Sequence, residues 1–486
     1  MGATASTAAG PKHIAIIGAG ASGLAALKAV LDSPQFKAGT WTVTLFEARE
    51  DVGGIWLPTE PVDDPPLTPL YDAVFTNIPH PAMAFTSFPF PPETPLFPTH
   101  GQVLAYFKRY VAHFGLAPHI RFNARVARAE RHAGRWRLTL EGGEGAPHAA
   151  DLLIVANGHY RNPRYPAVPG VQAWLAAGKA AHSAWYRRPS ALGRKLLVVG
   201  GGPSGTDISD DLRAHAELIL HAATKVPEHR FANVHGRPRV AEFGDPAAGV
   251  VRFADGSVES GIDHAILATG YQFWLPFLPP DLLALADPPR APPLPDALYN
   301  STYHLFPLAR HVWPLTARCP PHALAFIGLA KRVITWPVME AEARAALAAF
   351  ADPAVLAGEA DGVRARAERF RDRPRDIHVT EGYEQFVHRN ELYHLAARAR
   401  EPVSGPGGIA GGGVYLVQDW ERELFEHMFA LRRLWVDIVE RGEAEKWLKG
   451  VGVNGIEDWL EMTRKMLREA GEGQVDKLDE AEAVAI

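Results

Sequence analysis

Two stretches of this chain repeat one local grammar: a short apolar run, a G-x-G-x-x-G turn, a helix-like segment and a second apolar run. In the first, HIAII (13–17) enters GAGASG, with Gly18, Gly20 and Gly23, then LAALKAVLD, then TVTLFEA at 42–48. In the second, KLLVV (195–199) enters GGGPSG, with Gly200, Gly202 and Gly205, and runs on to ELILHA. Strand, glycine turn, helix and strand open a doubly wound α/β sheet. Two such units predict an α/β protein with two dinucleotide-binding, Rossmann-like domains.

The ends of the second strands tell the units apart. Glu47 closes the first one 24 residues after Gly23. A carboxylate there accepts hydrogen bonds from ribose hydroxyls, while the helix N-terminus offers free N–H groups to a pyrophosphate. Gly18, Ala19, Gly20, Ala21, Ser22, Gly23 and Glu47 are therefore candidate cofactor-binding residues. The second unit ends on Thr224 and Lys225 instead of an acid. A lysine attracts a 2′-phosphate that a carboxylate would repel, which points to NADPH over NADH. Its candidates are Gly200, Gly202, Ser204, Gly205, Thr206, Asp207, Thr224 and Lys225.

At 486 residues the chain exceeds one ordinary core. Between the units lie 12 prolines from Pro58 to Pro98, a stretch that cannot be regular helix or central strand. Long loops of this kind inside a compact protein are usually covers or binding segments. QVLAYFKRYVAHF after it has helical spacing, DLLIVANG (151–158) and HALAFIGLA (322–330) read as buried strands, and WPVMEAEARAALAAF begins a helix. Pro-rich breaks at 161–170 and 275–295 bracket the second unit. The expected division is 1–170 and 281–486 for the FAD-binding domain with a helical C-terminal region, and 171–280 for an inserted NADPH-binding domain.

Composition removes several classes. A net charge of −5 argues against a nucleic-acid binder. The single cysteine, Cys319, excludes an internal disulfide and any redox enzyme that needs a neighbouring dithiol. No H-E-x-x-H or other metal-ligand spacing appears among the 21 histidines, so no metal is expected. No apolar run is long enough to span a bilayer, and the start MGATASTAAG is no secretory signal; a cytoplasmic protein is expected. Gly2 and Ser6 fit the short myristoylation pattern, for which a small-residue tail is the simpler reading. Oligomeric state is left open, a homodimer included.

The chain resembles the flavin-containing monooxygenases, particularly their yeast and fungal members, over residues 13 to about 350. Gly53, Gly54, Ile55 and Trp56 match the family's GG-x-W flavin segment. TNIPHPAMAFTSFPFP (76–91) and FPTHGQVLAYFKRY match its next motif. Gly178, His182 and Tyr186 fit the signature F-x-G-x-x-x-H-x-x-x-Y, although Ala176 stands where its aromatic belongs. LATGY (267–271) and AFIGL (325–329), with Gly328, match two later segments.

The resemblance implies FAD and NADPH as cofactors, and O2 with a small nucleophilic molecule as substrates. It implies that NADPH reduces FAD, that O2 adds to form a C4a-(hydro)peroxyflavin, and that a soft nitrogen or sulfur takes the distal oxygen. It assigns Asn77 to the active site, and Thr76, Gly54, Ile55, Trp56, Val126 and Gly328 to the cofactors. His182 has a structural or interdomain role in that reading. The rival enzyme is a Baeyer–Villiger ketone monooxygenase, which usually carries a Trp/Asp-Pro ending where Tyr186 stands. The non-enzymatic rival is a flavin/NADPH redox sensor without turnover, marked by NADPH oxidation with no oxygen incorporated.

Overall fold

The computed structural model describes residues 10–143, 146–189, 192–229, 231–316, 318–398, 416–471 and 475. Gly2, Ser6 and most of the tail after Gly471 lie outside the described residues.

Both repeated units fold as parallel sheets. Strand Lys12–Ile17 pairs with Trp41–Phe46 on one side and Leu152–Val155 on the other, with Ile120–Arg121 and Leu324–Phe326 at the two edges. In the second sheet, Lys195–Val199 lies between Leu218–Ala223 and His264–Leu267, flanked by Val234–Pro238 and Ala180–His182. Every strand of the second sheet falls in sequence between two neighbours of the first, Leu152–Val155 and Leu324–Phe326. Layers on both faces explain why HIAII, KLLVV and DLLIV are unbroken apolar runs rather than alternating ones.

Helix Ala21–Asp32 follows the first glycine turn and packs on Thr335–Ala351. Both bury alanines (Ala25, Ala26 and Ala29 on one, Ala341, Ala345 and Ala349 on the other), so their backbones come close. Fully buried Leu24 and Leu347 each contribute about 2 kcal/mol to this layer. The two passages between the sheets run side by side, Asn162–Pro163 pairing antiparallel with Tyr271–Gln272.

The C-terminal helices Met428–Glu440 and Ile456–Ala470 bury Leu431, Trp435, Leu460 and Met466 against Ala82, Leu96 and Phe97 of the Pro-dense stretch. The first of them, Met428–Glu440, also touches the second domain, through Arg432–Asp207 at 2.7 Å and Arg213–Glu440 at 2.9 Å. Among the described residues, no helix is long and apolar enough to cross a membrane.

Candidate active site and cofactor cradles

The first glycine turn is packed so closely against the protein's own backbone that side chains would not fit. Gly18 has φ +102°, and a Cβ on it would stand 2.6 Å from the Ala156 carbonyl oxygen. A Cβ on Gly23 would overlap the Gly18 carbonyl. The helix that follows starts at Gly20 with no side-chain cap, so its first N–H groups remain available to phosphate. Glu47 lies at the turn itself: the Ala19 N–H donates to its Oε2 at 2.6 Å and the Arg49 N–H to its Oε1 at 2.8 Å. Burial raises this carboxyl above its ordinary value despite those N–H groups.

Other predicted segments converge on this turn. The Gly53 N–H donates to the Ala19 carbonyl at 3.0 Å, and Gly54 packs its backbone against Gly20. The Ala124 N–H reaches the Glu47 carbonyl at 2.8 Å, bringing the start of strand Val126–His132 alongside. Gly328, at φ +85°, approaches Ser22 so closely that a Cβ would fall 2.5 Å from its Oγ. Ile55 and Trp56 are half-buried beside Gly54. Thr76 is buried, its N–H bonded to the Pro98 carbonyl, and Asn77 next to it is exposed. A dinucleotide such as FAD fits this first cradle.

Glu342 was not foreseen. It is fully buried on helix Thr335–Ala351, and its Oε2 accepts the Gly328 N–H at 2.7 Å. Its other oxygen has no partner among the described residues, and burial pushes the carboxyl up to about 8. The folded chain keeps this proton where the unfolded chain, near 4.5, has lost it. Stability therefore falls as pH rises from about 5 to 8, by about 1 kcal/mol per pH unit from this group. Glu342→Gln is expected to flatten that slope in denaturant titrations at pH 5 and pH 8; equal slopes would show that the proton is not retained.

Two buried arginines, also unanticipated, organise the Pro-dense stretch. Its carbonyls join no sheet ladder, and guanidinium groups supply the missing donors. Arg49 donates to the Leu57 carbonyl at 2.8 Å and to those of Gly54 and Pro58 at 3.4 and 3.3 Å. Arg187 donates to Thr59 and Thr68 of the stretch, both at 2.9 Å, and to Ala184 and Tyr186 of its own segment at 2.9 and 2.8 Å. The stretch is thereby fastened to the second domain. Cavities of ≈ 250 and ≈ 260 Å³ flank Arg187; neither is lined by Asn77 or a glycine turn.

The second turn repeats the first in outline. Gly200 has φ +130°, a Cβ on Gly205 would overlap the Gly200 carbonyl, and helix Pro203–Leu212 begins at Gly202 without a side-chain cap. Ser204 and Thr206 are half-buried on its first turn, and Thr224 and Lys225 are exposed immediately after strand Leu218–Ala223. Asp207 is differently employed. One of its oxygens pairs with Arg432 and the other accepts from the Tyr71 hydroxyl at 3.1 Å, so its carboxylate joins three segments of the protein.

His182 ends an edge strand of the second sheet. Its Nδ1 accepts the Ala184 N–H at 3.1 Å, which leaves the proton on Nε2 to donate to the Gly270 carbonyl at 3.0 Å. Burial lowers it to about 4, so the ring is neutral and ties the signature to the ATGY segment. Cys319 is fully buried, and burial pushes its thiol up to about 12. Such a thiol forms almost no thiolate at neutral pH.

The profile of the flavin-binding monooxygenase-like family matches residues 11–227. A flavin-containing monooxygenase of Arabidopsis thaliana, FMO GS-OX-like 7, is 30% identical over 363 residues, covering 68% of this chain and 72% of the relative. FMO GS-OX-like 4 of the same plant is 28% identical over 364 residues, covering 68% and 74%. Two solved structures share the fold. S-allyl-L-cysteine S-oxygenase from Allium sativum superposes with a TM-score of 0.69 at 24% identity, covering 90% of this chain and 94% of its own. Tmm from Pelagibacter sp. strain HTCC7211 gives 0.66 at 19%, covering 87% and 91%. With a curated relative 30% identical over more than two thirds of both chains and the family profile on residues 11–227, the chain belongs to the flavin-containing monooxygenase family.

Proposed function

We propose that the protein is an NADPH- and O2-dependent monooxygenase that transfers one oxygen atom to a soft nucleophilic nitrogen or sulfur of a small molecule. The balance is substrate, O2, NADPH and a proton giving oxygenated substrate, water and NADP+. The observation that carries this reading is the difference between the two cradles. One is closed by Glu47, suited to the ribose hydroxyls of FAD, and the other by exposed Thr224 and Lys225, suited to a 2′-phosphate. FAD supplies the redox and oxygen chemistry when bound; the protein supplies binding, orientation and exclusion of water.

The assignments follow from that division. Gly18 to Gly23, with Glu47, Gly54 to Trp56, Thr76, Val126 and Gly328, hold the flavin nucleotide. The second turn with Ser204, Thr206, Thr224 and Lys225 holds NADPH. Asp207 acts through Arg432 and Tyr71, positioning that helix rather than touching the nucleotide. Asn77, exposed beside the buried Thr76, offers an amide that both donates and accepts hydrogen bonds to the reacting groups.

Supplying NADPH and ¹⁸O2 to the FAD-loaded protein with a thioether, a thiol, a tertiary amine and a cyclic ketone tests the reading. The name of the Allium sativum neighbour makes an S-alkyl cysteine the first thioether to try. One labelled oxygen per NADPH in a sulfur or nitrogen product is expected. Label in a lactone alone would transfer the protein to ketone oxygenation, and NADPH oxidation without labelled product would leave a redox sensor. Asn77→Ala is expected to leave flavin reduction within about threefold while product per NADPH falls about tenfold and hydrogen peroxide rises. Unchanged coupling would remove Asn77 from the reaction.

A further inference from the structure

Below the second glycine turn lies a chain of polar side chains with no counterpart in the first. His221, on strand Leu218–Ala223, is fully buried. Its Nε2 is 2.8 Å from the Gly200 carbonyl oxygen, and its Nδ1 is 2.8 Å from Nε2 of His229. Nδ1 of His229 faces Asp210 Oδ1 at 3.9 Å. A carbonyl only accepts, so the proton of His221 is on Nε2 and its Nδ1 must accept. His229 therefore donates from Nε2, and the pair holds the His221 ring in the one tautomer that can grip Gly200.

The two cradles supply their own comparison. A Cβ on Gly23 would next meet Leu45 Cδ1 at 3.4 Å; a Cβ on Gly205, at the matching place, would meet His221 Nε2 at 3.0 Å. An apolar side chain therefore suffices beneath such a turn. The first turn is braced from above instead, Glu47 taking the Ala19 N–H. The second turn has no acid there, and among the described residues no group accepts the Gly201 N–H. Bracing through the carbonyl underneath leaves that N–H free for phosphate.

We propose that His221 is a positioning residue of the second cradle: by holding the Gly200 carbonyl it orients the turn's free N–H groups toward the diphosphate of a nicotinamide nucleotide. The inference rests on the second cradle being the nicotinamide site. Calorimetric titration of the FAD-loaded protein with NADP+ tests it. His221→Leu, which copies the first cradle, is expected to weaken binding about tenfold, because the turn's N–H groups are no longer held toward the diphosphate. His221→Gln keeps an amide donor at similar reach and is expected to stay within about threefold of the parent. Flavin content should be unchanged in both, and the thermal midpoint should be unchanged in His221→Gln and lowered by a few degrees in His221→Leu, whose Gly200 carbonyl is left without a donor.

Parent-like binding by His221→Leu, or losses in His221→Gln as large as in His221→Leu, would overturn the proposal. If the leucine variant does not fold, His229→Leu serves in its place, since it frees the ring to take the other tautomer. Weakening of about threefold is then expected, and no change overturns the inference. A parent protein that binds no nicotinamide nucleotide would remove the reading of the cradle along with the inference.

Discussion

Replacing Lys225 with glutamate is expected to weaken NADPH binding about 100-fold while changing NADH binding by less than about threefold. The lysine is exposed two residues after the strand that ends at Ala223, and in the proposed function the sugar of a nucleotide on the Gly200 turn would reach the protein there. The substitution exchanges attraction of a phosphate for repulsion and leaves the turn untouched. NADH has only a hydroxyl at the 2′ position and loses little. Added salt should narrow the gap between the two nucleotides, because the lysine is in water and its field is screened. Dissociation constants for both nucleotides at low and high ionic strength check this. Equal losses for both would mean that Lys225 is only a solvated base at a strand end.

A larger loss of stability is expected where no cofactor binds. Arg389 and Glu421 form an ion pair in which both side chains are about 1–2% exposed, one guanidinium nitrogen lying 2.6 and 2.5 Å from the two carboxylate oxygens. Glu421 also receives the Gln418 N–H at 3.0 Å and so caps the helix Asp419–Glu426. The pair joins that helix to Glu384–Ala397, two elements separated in sequence by residues 398–418. Removing one partner leaves a buried charge without its counter-ion, and Arg389→Ala is expected to cost about 3–5 kcal/mol. Replacing both residues by methionine should cost less than either single truncation, because no lone charge is then left in the core. Denaturant titrations of the two singles and the double measure it. A double variant as unstable as the sum of the singles would show that the pair is not coupled.

What the sequence revealed and what it concealed divide along physical lines. Turns that need glycine for close backbone approach are legible, because only one residue type fits at Gly18, Gly23, Gly200 and Gly205. Strands buried on both faces are legible as unbroken apolar runs. The edge strand Ala180–His182 was not, since three residues inside a signature carry no period. Arg49 and Arg187 were equally hidden: their partners are backbone carbonyls, which any residue supplies. Glu342 stands in an alanine-rich helix where an acid reads as a solvated face, and only the fold turns it toward Gly328. The link from Arg432 to Asp207 joins positions 225 residues apart and left no local trace.

The grip of Arg187 bears on how this chain can change over time. It fastens the Pro-dense stretch at Thr59 and Thr68, and both attachments are to main-chain oxygens. The Thr59 side chain takes no part in the clasp, whereas the buried Thr68 hydroxyl donates to the Ile55 carbonyl and accepts the Leu70 N–H, so that end is fixed by its side chain as well. The eight residues between them, 60–67, are exposed or half-buried, apart from the enclosed Pro66. Additions and deletions there are cheap so long as two carbonyls stay within reach of one guanidinium. Relatives of this chain can thus remodel the rim beside the second domain by lengthening or trimming a segment, and keep the joint that carries it.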